Sequence, residues 1–338
     1  LFEVALGFPL ISLLRRKLDA GDFLSLNSLA DAGKPFVVSL LSHISNRPVL
    51  VVTNGLKSQE AFYNDLQTFL PAALFYPAWE TLPHEDRLPH ADTIADRLRV
   101  LSNVVTLSEA KGLATDERHT LDDAEVLRST QNDKPNVIVA SVQALMQKTF
   151  SPSALLTLRS SLHLGDRVDL EDFATTLIEC GYSHEVQVNE RGDMAVRGGL
   201  VDFFPLDREL PVRIELAGDE IESIRAFDPV TQQTRDKLSD VTVTPAGELG
   251  LLKLNPGQTA PLVDLLPRDT LVIVDEPESL VLAADEYARQ IPEGDPFFVP
   301  WKHTLDAGLL AVQLTEAIAL EPPDDYINLR LNSLDAFR

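Results

Sequence analysis

The chain has 338 residues, of which 44% are hydrophobic and 24% charged, and a formal net charge of −23. Such a length can build two or three domains with a sizeable core, and the composition argues against wholesale disorder. The acid excess argues against a protein that binds DNA mainly through the phosphate backbone, because its long-range field repels polyanions. One cysteine, Cys180, rules out an internal disulfide framework and a multi-cysteine zinc site, and suits a reducing compartment such as the cytoplasm. No apolar run reaches the ~18 residues of a membrane span. Leu1–Ala5 lacks the basic start of a signal peptide, and a chain opening without Met reads as part of something longer.

Residues 1–151 alternate short β-rich runs with helical periodicity. Pro48–Thr53 reads as a buried strand, followed by a helix face of Phe62, Leu66, Phe69 and Leu70. Ala73–Tyr76 reads as a second strand, Ile94, Leu98, Leu101 and Val105 as a helix face, and Asn136–Ser141 as a third strand. Fully apolar strands alternating with helices predict a parallel α/β sheet. The polar stretch from Thr115 to Lys134 is expected to run over the surface.

Residues 152–245 change texture. A helix carrying Leu170, Phe173, Leu177 and Ile178 stops at Gly181. Period-two strands are then expected at Glu185–Val188, Met194–Arg197, Leu200–Phe204, Val212–Leu216, Glu220–Arg225 and Val241–Thr244, with turns at Asn189–Gly192, Ala217–Asp219 and Asp228–Thr234. That is an antiparallel α+β domain. Residues 246–338 return to α/β texture, with a buried strand at Thr270–Val274 and a helix face of Leu280, Ala284, Tyr287 and Ala288. The expected fold is a parallel sheet of the P-loop class with an antiparallel α+β domain inserted in it or docked on it.

A phosphate loop needs small residues whose N–H groups wrap the phosphates, a Lys for the β/γ-phosphates and a Ser/Thr hydroxyl for Mg²⁺. Ser28-Leu-Ala-Asp-Ala-Gly-Lys-Pro35 has Gly33 and Lys34 in register between a strand and a helix. Ser28 replaces the leading glycine, however, Pro35 replaces the hydroxyl, and Asp31 adds a carboxylate, so the loop reads as vestigial. Leu271–Glu276 is an apolar strand ending in Asp275 and Glu276, the pair that would hold Mg²⁺ in an ATPase or simply a solvated strand end. The Trp79–Asp92 stretch mixes His with carboxylates, but His84 and His90 lack the spacing that stacks two imidazoles on a helix. Cys180 reads as core. In the middle domain, Arg197, Val201 and Phe203 are expected on one face, and Arg213 and Glu215 share a face. Arginine beside apolar groups is a common protein-contact composition, and also an ordinary salt-bridged sheet face.

Five stretches taken together resemble the UvrB-homology region of the bacterial transcription-repair coupling factor family, Mfd. They are Phe75-Tyr-Pro-Ala-Trp-Glu-Thr-Leu-Pro-His84, Asp96-Arg-Leu-Arg-Val-Leu101, Val139-Ala-Ser-Val-Gln-Ala-Leu-Met146, Arg191-Gly-Asp-Met-Ala-Val-Arg-Gly-Gly-Leu-Val-Asp-Phe-Phe-Pro205 and Arg213-Ile-Glu-Leu-Ala-Gly-Asp-Glu-Ile-Glu-Ser-Ile-Arg-Ala-Phe-Asp-Pro229. The resemblance implies two α/β pieces like UvrB's first helicase lobe, at 1–151 and 246–338, around an α+β domain at 152–245 that binds UvrA. It implies no catalysis and no cofactor in this region. ATP, Mg²⁺, RNA polymerase and DNA would belong to other domains of a full-length translocase, and its C-terminal domain would mask the UvrA-facing surface. Carried over onto matching positions, Arg197, Arg213 and Glu215 would contact UvrA, with Val201 as an apolar neighbour. Two family arginines are absent, at Ser183-His184 and at Ala195, so either the interface is weaker or Arg191 compensates. The competing expectations are an ATP-dependent nucleic-acid motor using Lys34, Asp275 and Glu276, or a UvrB-like damage-binding fragment.

Overall fold

The fold is described by a computed structural model over residues 9–21, 24–85, 87–113, 137–305, 310–315 and 326–331. The 115–134 stretch expected on the surface lies outside these residues. Helix α1 (Pro9–Ala20) buries Leu14 and Leu18. Strand β1 (Leu24–Leu29) passes through one 3₁₀ turn, Asp31–Gly33, into α2 (Lys34–Ser45). Asn46 ends α2 with φ 50°, a left-handed conformation that Asn tolerates. There follow β2 (Val49–Thr53), α3 (Leu56–Gln67), β3 (Leu74–Tyr76), α4 (Ala91–Leu113), β4 (Val137–Ser141) and α5 (Val142–Met146). Ser141 caps α5 by accepting from the Ala144 N–H.

The middle of the chain forms β5 (Thr149–Phe150), α6 (Pro152–Thr157), β6 (Ser160–His163), α7 (Leu170–Glu179) and β7 (Ser183–His184). It continues with β8 (Asp193–Arg197), β9 (Leu200–Phe203), β10 (Val212–Ala217), β11 (Glu220–Phe227), β12 (Thr234–Leu238) and β13 (Asp240–Val243). The last part supplies α8 (Leu249–Leu254), β14 (Thr259–Ala260), α9 (Leu262–Leu265), β15 (Leu271–Asp275), α10 (Pro277–Ala288), α11 (Trp301–Leu305), β16 (Leu310–Leu314) and β17 (Tyr326–Leu331).

Seven strands make a parallel sheet in the order β17-β1-β16-β15-β2-β4-β3. Strands from before and after the middle segment therefore share one sheet and interleave in it, β1 lying between β17 and β16, and β2 beside β15. Period two divides its core cleanly. Leu50, Val52, Ile138, Ala140, Val272 and Val274 face α4, α5 and α10, whereas Val49, Val51, Val137, Val139, Leu271 and Ile273 face α1, α2 and α3. Both faces are covered, which is why these strands read as unbroken apolar runs.

Six strands form the second sheet, β12-β11-β10-β9-β8-β7, antiparallel except for β7 beside β8. Its inner face carries Met194, Val201, Phe203, Val212, Ile214 and Ile224 onto Phe173, Leu177 and Cys180 of the α7 segment. Asp169 caps α7, accepting from the Glu171 and Asp172 N–H groups. Cys180 is core, its Sγ 3.6 Å from the Leu158 carbonyl, and burial pushes its thiol up to about 11. Among the described residues no helix is long and apolar enough to cross a membrane.

One expected strand is corrected, and two observed strands were not expected. Glu185–Val188 is a bent loop, not a strand, because it drives Val188 into a small cluster with Ala195, Phe204 and Phe227 while Val186 stays exposed. Strands β6 and β12 had no signal, since their side chains are mostly exposed and carry no apolar alternation. At the β8–β9 turn, a Cβ added to Gly199 would lie 2.9 Å from the Leu216 carbonyl oxygen. Gly199→Ala is therefore expected to lower stability by about 1–3 kcal/mol in denaturant unfolding, as for other overpacked sites. An unchanged midpoint would contradict that close approach.

Candidate functional site

Two clusters deserve comparison, and the first is the loop after β1. Strand β1 runs through Leu29, and Ser28 sits at φ 59°, where the pairing with β17 shifts register. Only a short turn then separates β1 from Lys34, the first residue of α2. The Lys34 side chain is 1% exposed, and its Nζ lies 2.6 Å from Asp31, 2.8 Å from Asp275 and 2.7 Å from Glu276. Parallel β1 and β15 bring these groups together at their carboxyl ends, across β16. Burial alone would lower the Lys34 pKa, but contacts with Asp275, Asp31 and Glu276 outweigh it and raise the value. Burial holds the Asp275 carboxyl above its usual range despite the ammonium beside it. Lys34 is thus enclosed by internal carboxylates. Gly33, at φ −89°, does not use a conformation reserved for glycine.

The second cluster is the outer face of the antiparallel sheet. Directly opposed residues share a face, and Asp202, Arg213, Arg225 and Lys237 stand opposite one another on β9, β10, β11 and β12. The adjacent row is Arg197, Leu200, Glu215 and Ser223. Arg213 donates from Nε and Nη2 to the two Asp202 oxygens, each at 2.7 Å, and from Nη2 to Gln232 Oε1 at 2.9 Å. Its guanidinium also lies over the Phe227 ring, 4.4 Å from the centroid. The Asp202 hydrogen bonds raise the Arg213 pKa, so its charge is fixed. Glu215 accepts from Arg225 Nη2 at 2.5 Å and from Ser223 Oγ at 3.2 Å. Arg197 and Lys237 are exposed and have no ion-pair partner among the described residues.

Of the residues predicted for contact, Arg197, Arg213 and Glu215 therefore meet on one face. Val201 does not. It is opposite Val196, fully buried in the inner core, and the face assignment that grouped Arg197 with Val201 and Phe203 is corrected. Arg191 donates to the Arg208 carbonyl at 3.1 Å and lies 3.8 Å from Asp92 of α4, so it joins the antiparallel domain to the parallel one. Asp202, Arg225 and Lys237 were not singled out in sequence: counting back through the hairpin from Ala217 and Glu220 sets Ile224 opposite Arg213, and only the register shift between Glu215 and Leu216 brings Arg225 there.

A third group, unforeseen in sequence, ties α4 and the segment after β3 to β5 and the start of α8. Arg97 of α4 and Glu248, just before α8, are both fully buried and make a two-pronged pair, Nε to Oε2 at 2.6 Å and Nη2 to Oε1 at 3.0 Å. Glu248 also accepts from Trp79 Nε1 at 2.9 Å and Thr149 Oγ1 at 2.7 Å. Arg97 donates to the Pro77 carbonyl at 2.9 Å and lies over the Tyr76 and Trp79 rings. Burial works against its charge, and Glu248 more than restores it.

A family model described as the UvrB interaction domain matches residues 161–249, the span of the antiparallel sheet through Glu248. Among relatives, the transcription-repair-coupling factor of Myxococcus xanthus is 30% identical over 241 residues, 69% of this chain and 18% of that protein. Those of Bacillus subtilis (strain 168) and Escherichia coli (strain K12) are 26% and 27% identical, covering 66% and 68% of this chain. The chain spans 17% and 18% of the length of these two relatives.

Proposed function

Because the chain is a UvrB-homology module of the transcription-repair-coupling factor family, built around a UvrB interaction domain, we propose that it is a non-catalytic recruiter of UvrA. In this reading the outer face of the antiparallel sheet is the contact surface. The observation that carries it is a cationic row, Arg213, Arg225 and Lys237 with Arg197 nearby, in a chain of net charge −23. Arginine and a partly buried ion pair set beside Leu200 are a composition suited to an oriented protein contact. Val201 supports that face from beneath.

The loop after β1 is read as a degenerate P-loop. A nucleotide's phosphates would meet Asp31, Asp275 and Glu276 around a lysine that already serves them, and Pro35 offers neither a hydroxyl nor an N–H. Residues 1–151 and 246–338 are then the two pieces of a helicase-like lobe, and 152–245 the partner-binding domain. For the whole protein the proposal extends to RNA polymerase and DNA as partners of other domains, to ATP and Mg²⁺ in its motor, to masking by its own C-terminal domain, and to a cytoplasmic setting.

Calorimetric titration with the UvrA of the same organism tests the reading. The chain is expected to bind saturably, and Arg197→Ala to weaken binding by more than ~2 kcal/mol, as at a hot spot. Absence of binding by the unmodified chain would overturn the proposal. Addition of Mg-ATP is expected to leave its Tm unchanged, whereas a nucleotide-dependent rise would restore the motor reading.

A further inference from the structure

Resting on the UvrA reading above, we propose that the contact surface crosses the sheet to its edge strand β12, with Lys237 and Arg225 as contact residues and Arg213 as a positioning residue. The register supplies the argument. Like charges directly opposite on neighbouring strands repel, yet Arg213, Arg225 and Lys237 stand side by side on three strands. Two of the three are neutralised internally: Asp202 takes Arg213 and Glu215 takes Arg225. Lys237 has no carboxylate among the described residues and is exposed. Left unpaired at the end of such a row, Lys237 guards the edge against strand addition and also leaves a free, exposed cation continuous with Arg213 and Arg225.

Arg213 differs from its neighbours. Its side chain is only 18% exposed, and Asp202 beneath it 5%. Turning Arg213 outward would leave that buried carboxylate unpaired, a strongly unfavourable change. It also holds Gln232, which sits at φ 59° in the turn between β11 and β12. Arg213 therefore sets the position of the edge strand that carries Lys237. Arg197 on β8 and Lys237 on β12 are four strand steps apart, about 19 Å at ordinary strand spacing. The surface they fit is a carboxylate-bearing patch of UvrA broad enough to meet both, and binding should weaken as salt rises.

The test compares variants of the full chain against UvrA at low and moderate salt, with Tm measured for each. Lys237→Glu is expected to bind at least ~10-fold more weakly, with a smaller salt effect and unchanged Tm, while Lys237→Arg binds normally. Asp202→Asn separates the two roles of Arg213. It frees the guanidinium, so a direct contact residue would keep or gain affinity, whereas a positioning residue loses it, as Arg213→Ala should. If Lys237→Glu binds like the unmodified chain while Arg197→Ala fails, the extension to β12 is wrong and the recruitment reading stands. Undiminished binding by Asp202→Asn overturns the positioning role. Failure of the unmodified chain to bind overturns both.

Discussion

Glu248→Ala is expected to destabilise the chain by about 3–5 kcal/mol, the usual consequence of removing one partner of a buried ion pair. The carboxylate is fully buried and answers three donors at once: Arg97, Trp79 and Thr149. Its loss strands a guanidinium in the core, and the desolvation already incurred by Arg97 is no longer offset. Arg97→Lys should also be poorly tolerated, since an ammonium cannot reproduce the fork that meets both Glu248 oxygens. The pair as a whole is worth less than either deletion suggests. Replacing both residues, Arg97→Met with Glu248→Leu, should recover much of the loss, giving a large coupling energy in a double-mutant cycle. Chemical denaturation of the four proteins measures this. A single-variant loss below about 1 kcal/mol would contradict the geometry.

Lys34→Ala is expected to cost a similar amount, about 3–5 kcal/mol, with a distinctive dependence on pH. Removing the ammonium leaves Asp275 and Glu276 beside one another with Asp31 close by, and Asp275 is 14% exposed. The sign follows from linkage. In the unmodified chain Lys34 has a raised pKa, so its contribution is fully present below the unfolded value near 10.4 and is lost only as pH rises through the folded value. The Asp275 pKa is already raised by burial, and the variant removes the ammonium that opposes the rise. A carboxyl with a raised pKa destabilises above that pKa and ceases to do so once protonated. The variant should therefore approach the unmodified chain in stability as pH falls below neutral and the Asp275 carboxyl takes up its proton. A deficit that stays constant as pH falls would mean the carboxylates are not held by Lys34.

The parallel sheet was legible because its strands are buried on both faces: Val49–Thr53, Val137–Ser141 and Leu271–Asp275 read as apolar runs bounded by polar turns. The site was legible only in part. Arg197, Arg213 and Glu215 were singled out and share one face, but that face was miscounted across the Gly198-Gly199 turn. A two-residue turn sets Arg197 opposite Leu200, so residues of opposite parity share a face, and Val201 goes to the core. Strand β12, with Thr-Arg-Asp-Lys-Leu, is an edge made of exposed charges, the composition that keeps edges from pairing and also the one that hides them from periodicity. Glu248 lies far along the chain from Arg97, and local pattern holds no information about that pairing; Asp275 and Glu276 were grouped with Lys34 only through the phosphate-loop pattern, and as nucleotide ligands rather than as its ion-pair partners.

Competition for UvrA tests the central claim most directly. A chain that recruits UvrA through a UvrB interaction domain should occupy the surface that UvrB uses. With UvrA immobilised and the chain bound, added UvrB is expected to displace it with a midpoint that rises in proportion to chain concentration. Arg197→Ala should fail to compete in the reverse experiment. Simultaneous binding of UvrB and this chain to one UvrA site, with no displacement at saturating UvrB, would contradict the account.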